Sequence, residues 1–216
     1  MDKEAASPSP LSEVHFNPDP TLPYGLEVEH VADSMRDFLT FIKTINLALF
    51  EKGLPRLESI AMPANFSTLV SEFMHRQIPQ HCPDLAQNQY HNGHPDLLPS
   101  GTYEGDSVHQ ADEGIEVKAS RYRDRWQGHN VEECWLMGFQ YDSNSPNDPD
   151  PIRCFEFKGA FIAQLEEGDW SFSGRSEESR RTITASVLAS GRDRMLENYI
   201  YDVERPPQGN LFQSEN

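Results

Sequence analysis

The chain has 216 residues, of which 37% are apolar and 25% charged, and its formal net charge is −17. That length holds one well-buried domain, that apolar content excludes a wholly disordered chain, and no run approaches the roughly 18 consecutive apolar residues of a membrane-spanning helix. Cys82, Cys134 and Cys154 are an odd count without framework spacing, and Met1-Asp2-Lys3-Glu4 lacks a secretion-signal core, so a cytoplasmic protein with reduced thiols is expected.

Residues 1–25 carry Ser-Pro-Ser-Pro, Asn-Pro-Asp-Pro and Leu-Pro, which fix local angles with little apolar surface to anchor them, so a flexible N-terminal arm is expected there. A single domain is expected over 26–205 and a flexible tail over 206–216. From Glu27 to Lys52 the apolar positions Val31, Met35, Phe38, Leu39, Ile42, Ile45 and Leu49 recur at three and four, which predicts a helix stopped by Gly53 and Pro55. A second helix is predicted from Asn65 or Ser67 to Ile78, with Pro79 as its stop. Leu97-Leu98-Pro99-Ser100-Gly101 opens a polar, turn-rich loop, and strands are predicted at 115–119, 134–141, 152–165 and 170–172. The polar run 142–151 separates two of these strands, and a short final helix is predicted over 191–199. This order of elements predicts an α/β fold, a mixed central sheet flanked by helices.

The residues that carry chemistry lie at the start of the sheet. His94-Pro95-Asp96 precedes Gly114-Ile115-Glu116-Val117-Lys118, with nineteen residues between Asp96 and Glu116. On a strand Glu116 and Lys118 share one face while Ile115 and Val117 take the other. With Asp96 on the neighbouring strand, two carboxylates meet across one spacing of roughly 5 Å, where they suit a shared hard cation. Lys118 then offers a point charge to the same cavity. Glu156-Phe157-Lys158 repeats the acid-x-Lys pattern, and chance supplies about one such triplet in a chain of this composition. Only five residues separate Asp150 from Glu156, too few for two paired strands and a turn, so this second copy reads as a neighbouring structural strand.

Pro95-Asp96 followed by Glu116-x-Lys118 with apolar flanks resembles the PD-(D/E)XK nuclease superfamily, the fold of many restriction endonucleases. The resemblance implies a restriction-endonuclease-like fold and a Mg²⁺-dependent DNA endonuclease of the restriction or defence kind, with Mn²⁺ as a substitute ion. Asp96, Glu116 and Lys118 are then the catalytic residues. The metal is held by Asp96, Glu116, the Val117 carbonyl and, as in several members with an upstream helix, Glu72.

Directly downstream, Arg121, Arg123 and Arg125 with Tyr122 and Trp126 suit contact with phosphates and bases, and His94 beside Asp96 suits contact with a substrate phosphate or the orienting of a carboxylate. Arg175, Arg180 and Arg181 form a further candidate contact patch. DNA is the expected partner, a homodimer is compatible, and the residues do not separate DNA from RNA. The net charge of −17 works against nucleic-acid binding, which is driven by cations replacing counterions, although salt screens exposed charges over about 8 Å. Five lysines against thirteen arginines also fit a salt-adapted host. Two other readings stand beside the nuclease. One is a non-catalytic binding or regulatory protein that retains the fold. The other is a zinc-dependent hydrolase using His81, Cys82, His91 and His94, whose thiolate and imidazoles suit that ion.

Overall fold

The computed structural model describes residues 6–128, 133–146, 148, 152–172 and 184–208. Two helices form first: α1, Val28–Glu51, and, after the single turn α2, Leu57–Ile60, the long α3, Pro63–His81. The apolar stripe of α1 buries Val31, Met35, Phe38, Leu39 and Ile42, as the three-and-four spacing predicts. Helix α3 starts on Pro63, where a missing N–H costs nothing, and runs through Pro79 to His81. The predicted stop at Pro79 is therefore displaced by a few residues. A proline in the last turn removes one hydrogen bond, while Cys82 N–H still donates to Ile78 O and closes the helix.

Among the described residues nine strands follow: β1 Leu85–Gln87, β2 Leu97–Pro99, β3 Ile115–Ser120, β4 Gln127–Gly128, β5 Trp135–Asp142, β6 Glu156–Gln164, β7 Trp170–Phe172, β8 Ala185–Val187 and β9 Tyr199–Asp202. A fourth helix, α4, spans Ala189–Glu197. Six strands make a mixed sheet in the order β1-β2-β3-β5-β6-β9, in which β3 and β5 run parallel and the other pairs antiparallel. Strands β4, β8 and β7 form a second, small sheet. The chain is thus α/β with a mixed sheet.

Alternation on the strands divides the interior in two. Ile115, Val117, Met137, Phe139 and Phe157 join α1 and α3 in the main core, whereas Leu136, Phe161 and Ala163 pack with Trp126, Trp170 and Met195 of α4. The register sets Glu116 beside Leu136 and Lys118 beside Gly138, so both polar side chains belong to the face opposite α1 and α3. Residues 6–25, expected as a flexible arm, lie against this framework. Phe16 is fully buried and bridges to Tyr201 of β9, and Ser9 N–H donates to Phe155 O. One large aromatic ring anchors a segment whose other residues are mostly prolines and polar groups.

Candidate active site at a strand fork

Strands β2 and β3 share a single register pair, Leu97 with Ile115. The next pair of an antiparallel ladder would be Asp96 with Glu116, and there the side chains take over from the backbone. Asp96 N–H donates to Glu116 Oε2 at 3.2 Å, and Val117 N–H donates to Asp96 Oδ2 at 2.9 Å. Each carboxylate accepts a main-chain N–H from the other strand. The two acids are thereby held side by side where the strands part. Gly114 permits the approach, because it has φ +139° and a Cβ there would meet Leu97 O at 2.2 Å.

Glu116 is only 6% exposed, and it also binds Lys118 Nζ through Oε1 and His94 Nδ1 through Oε2 at 3.0 Å. Burial alone would raise its pKa. The His94 hydrogen bond and the Lys118 charge outweigh that and hold it at about 2, so this carboxylate is ionised at every physiological pH. His94 is fixed in turn by its own backbone, which exchanges hydrogen bonds with His109 and Ala111, and the Cys134 thiol lies 3.8 Å from its Nε2. Sequence reasoning sets His94 on a substrate phosphate or on a carboxylate; in the structure it holds the carboxylate of Glu116.

The second acid faces α3. His75, buried at 7% exposure, reaches toward Asp96 Oδ1 through Nδ1 at 3.7 Å and toward Glu72 Oε2 through Nε2 at 3.5 Å. Glu72 therefore stands one side chain back from Asp96, with His75 between them. Gln87 Nε2 lies 3.2 Å from His75 Nε2. Gln87 and Glu72 thus hold the Nε2 edge of the ring, and its Nδ1 edge faces Asp96. Burial pushes the His75 pKa down and keeps the ring neutral. Sequence reasoning missed both His75 and Gln87. The signal was faint: a histidine beside Met74 within the buried stripe of α3.

The arginines downstream divide. Arg121 Nη2 binds Asp148 Oδ2 at 2.7 Å, and Arg123 grips Asp202 with two hydrogen bonds of 2.7 and 2.6 Å over the Phe161 ring. Asp202 is fully buried. Both guanidinium groups thus tie the fold together, and a phosphate would have to compete with those carboxylates. Arg125 stacks 4.7 Å above exposed Tyr122, with a side chain 67% exposed. The patch at Arg175, Arg180 and Arg181 lies outside the described residues, as does Asp150. In β6, Lys158 Nζ binds Glu156 Oε2 at 2.5 Å, and Glu156 stands in register with Asp142, which Arg153 pairs. This is the neighbouring strand that the second triplet predicts.

No protein-family model, curated protein or solved structure matches this chain. What the site can do is therefore argued from its own donors. Among the described residues no three His, Cys, Asp or Glu side chains stand together as a metal-ligand group. His81 pairs with Asp37 at 2.7 Å, Cys82 lies 3.7 Å from Gly25 O, and His94 holds Glu116, so these three of the four zinc-hydrolase residues have separate partners. Mg²⁺ asks for less, since it is commonly bound by one or two carboxylates and otherwise keeps waters or substrate oxygens. Asp96 and Glu116 meet that requirement. Val117 aims its N–H toward Asp96 rather than β5, and on a strand its carbonyl points to the same side, toward the two acids. The residues at the fork fit a hard divalent cation.

Proposed function

We propose that this chain is a Mg²⁺-dependent DNA endonuclease of restriction-endonuclease-like character, similar to PD-(D/E)XK nucleases. The observation that carries the reading is the crossed pair of hydrogen bonds in which the Glu116 carboxylate accepts Asp96 N–H and the Asp96 carboxylate accepts Val117 N–H, which sets two carboxylates at one strand fork beside Lys118. Asp96, Glu116 and the Val117 carbonyl would hold the ion. When bound, such an ion polarises the scissile phosphate and lowers the pKa of a coordinated water.

The protein's own groups do the rest. Glu116 stays ionised without a metal because Lys118 and His94 compensate it, so it needs no deprotonation before use. Lys118, with three donors, serves the attacking water or the charge that grows on the phosphate. His75, held at its Nε2 edge by Gln87, faces Asp96 through Nδ1 and orients it. Supercoiled and linear DNA, incubated with Mg²⁺ or Mn²⁺ over a salt series, test the reading. Wild type and Lys158→Ala are expected to cut, and Lys118→Ala to cut at least about 100-fold more slowly, the scale of losing one transition-state donor. Equal cutting by Lys118→Ala would overturn it.

One observation favours a non-catalytic binding protein instead: Glu116 is already neutralised by Lys118 and His94, so the site closes on itself without an ion. The two readings differ in metal linkage. A working site gains thermal stability with Mg²⁺, and Asp96→Asn removes that gain; a Tm indifferent to the ion would favour the binding protein.

A further inference from the structure

Beside Asp96 lies a cavity of about 550 Å³. One wall is α3, with Glu72, His75 and Arg76; the other is the segment 87–93, and Asp96 stands on the boundary between cavity and fork. We propose that this cavity takes one unpaired nucleotide, so that the chain acts on single-stranded or frayed nucleic acid rather than on the interior of a duplex. This rests on the nuclease reading above.

The size is the first argument. Sites for ligands on the scale of one nucleotide run to about 300–1,000 Å³, and a duplex, whose major groove alone is roughly 12 Å wide, does not enter such a space. The wall is also built in advance. Asn88 donates to Pro95 O and Val108 O and accepts from Tyr90 N–H and Val108 N–H, with all four distances between 2.9 and 3.2 Å. That fixes the segment that presents Tyr90. The Tyr90 ring is 46% exposed and braced edge-on by His109 at 5.3 Å. A braced, exposed ring at a cavity mouth is a stacking platform for a base of any identity.

Charge is the second argument. Holding a duplex by its backbone asks for several cations against phosphates, whereas Arg121 and Arg123 bind Asp148 and Asp202 in a chain of net charge −17. Arg76, at the rim, is 66% exposed and paired with Glu72 only at 3.8 Å, so it is held less tightly than either. Stacking in a pocket suits this protein better than a basic track. A nucleotide seated there sets its phosphate against Asp96, at the fork.

Lys118→Ala protein, incubated with Mg²⁺, is titrated into a fluorescein-labelled single strand and into the matching blunt duplex, and anisotropy is read with Tyr90 intact, as Tyr90→Ala and as Tyr90→Trp. The single strand is expected to bind at least about 10-fold more tightly, with that preference lost in Tyr90→Ala and kept in Tyr90→Trp. Equal or tighter binding of the duplex, binding of neither form, or an unchanged single-strand affinity in Tyr90→Ala overturns the proposal. Cutting by otherwise wild-type protein separates the two readings. Duplex cleaved as fast as single strand, and unaffected by Tyr90→Ala, removes the pocket and leaves the nuclease; tight Tyr90-dependent binding without cutting under any metal leaves the pocket and removes the nuclease.

Discussion

Glu116 carries a measurable signature of its surroundings. Its folded pKa of about 2 lies below the roughly 4.3 of an unperturbed glutamate, so between those values the unfolded chain binds more protons than the folded one. The stability it confers is complete above about pH 4.3 and is lost as pH falls toward 2. Urea unfolding across that window is expected to show a shallower decline in Glu116→Gln than in wild type. Gln87 makes a second residue-scale prediction. Because it holds the Nε2 edge of His75, Gln87→Leu releases the ring and the carboxylate it orients. Mg²⁺ or Mn²⁺ affinity by calorimetry is expected to fall about 10–100-fold, as for other partners that orient a metal ligand. The Asp96, Glu116 and Lys118 array was legible because strand alternation is written in the local sequence. His75 was not, since it arrives from a helix two elements earlier and only the packing of α3 on β3 brings it to Asp96.

Among the elements, those with a long period were readable and those of a few residues were not. Helix α1 follows its apolar stripe within a residue of the predicted ends, β5 runs one residue past its predicted end, and β6 lies inside its predicted region. Strand β2 falls in what reads as a loop, because three residues, one of them proline, carry no alternation. Strand β9 goes unpredicted, with only Tyr199 falling at the end of the predicted helix, although Tyr199, Ile200, Tyr201 and Asp202 are all buried. A four-residue strand buried on both faces cannot be told from a helix end by periodicity. Phe38 is fully buried against Phe73, Phe155 and Phe157, so it joins α1 to α3 and to β6. Phe38→Ala is expected to cost about 3–5 kcal/mol in equilibrium unfolding. On the opposite face the Trp126 ring lies over Gly138, where a Cβ would meet it at 2.9 Å. Gly138→Ala is expected to cost about 1–3 kcal/mol and to shift Trp126 fluorescence.

Across the whole molecule, charge is arranged to hold the protein together before it meets a partner. Arg123 joins the segment after β3 to buried Asp202 of β9, and Arg121 joins the same segment to Asp148 in the connection between β5 and β6. Arg123→Ala leaves fully buried Asp202 with Arg205 Nε at 3.6 Å as its remaining cation, with an expected loss of up to about 3–5 kcal/mol in unfolding free energy. If Arg123 were only a phosphate contact, stability would be unchanged and substrate affinity alone would fall. The composition conveyed the net charge but not this pairing, because Arg123 and Asp202 meet only after the sheet has formed. Among the described residues no helix is long and apolar enough to cross a membrane.

The hairpin of β1 and β2 hangs from the sheet by one backbone register pair and by the two acids themselves. Anything that draws on the Asp96 carboxylate thus competes directly with the amide of Val117. The protection of that amide against deuterium exchange becomes a built-in gauge of the fork, readable by NMR before any substrate is known. The same mechanical link makes a bound ion a rivet for the sheet edge.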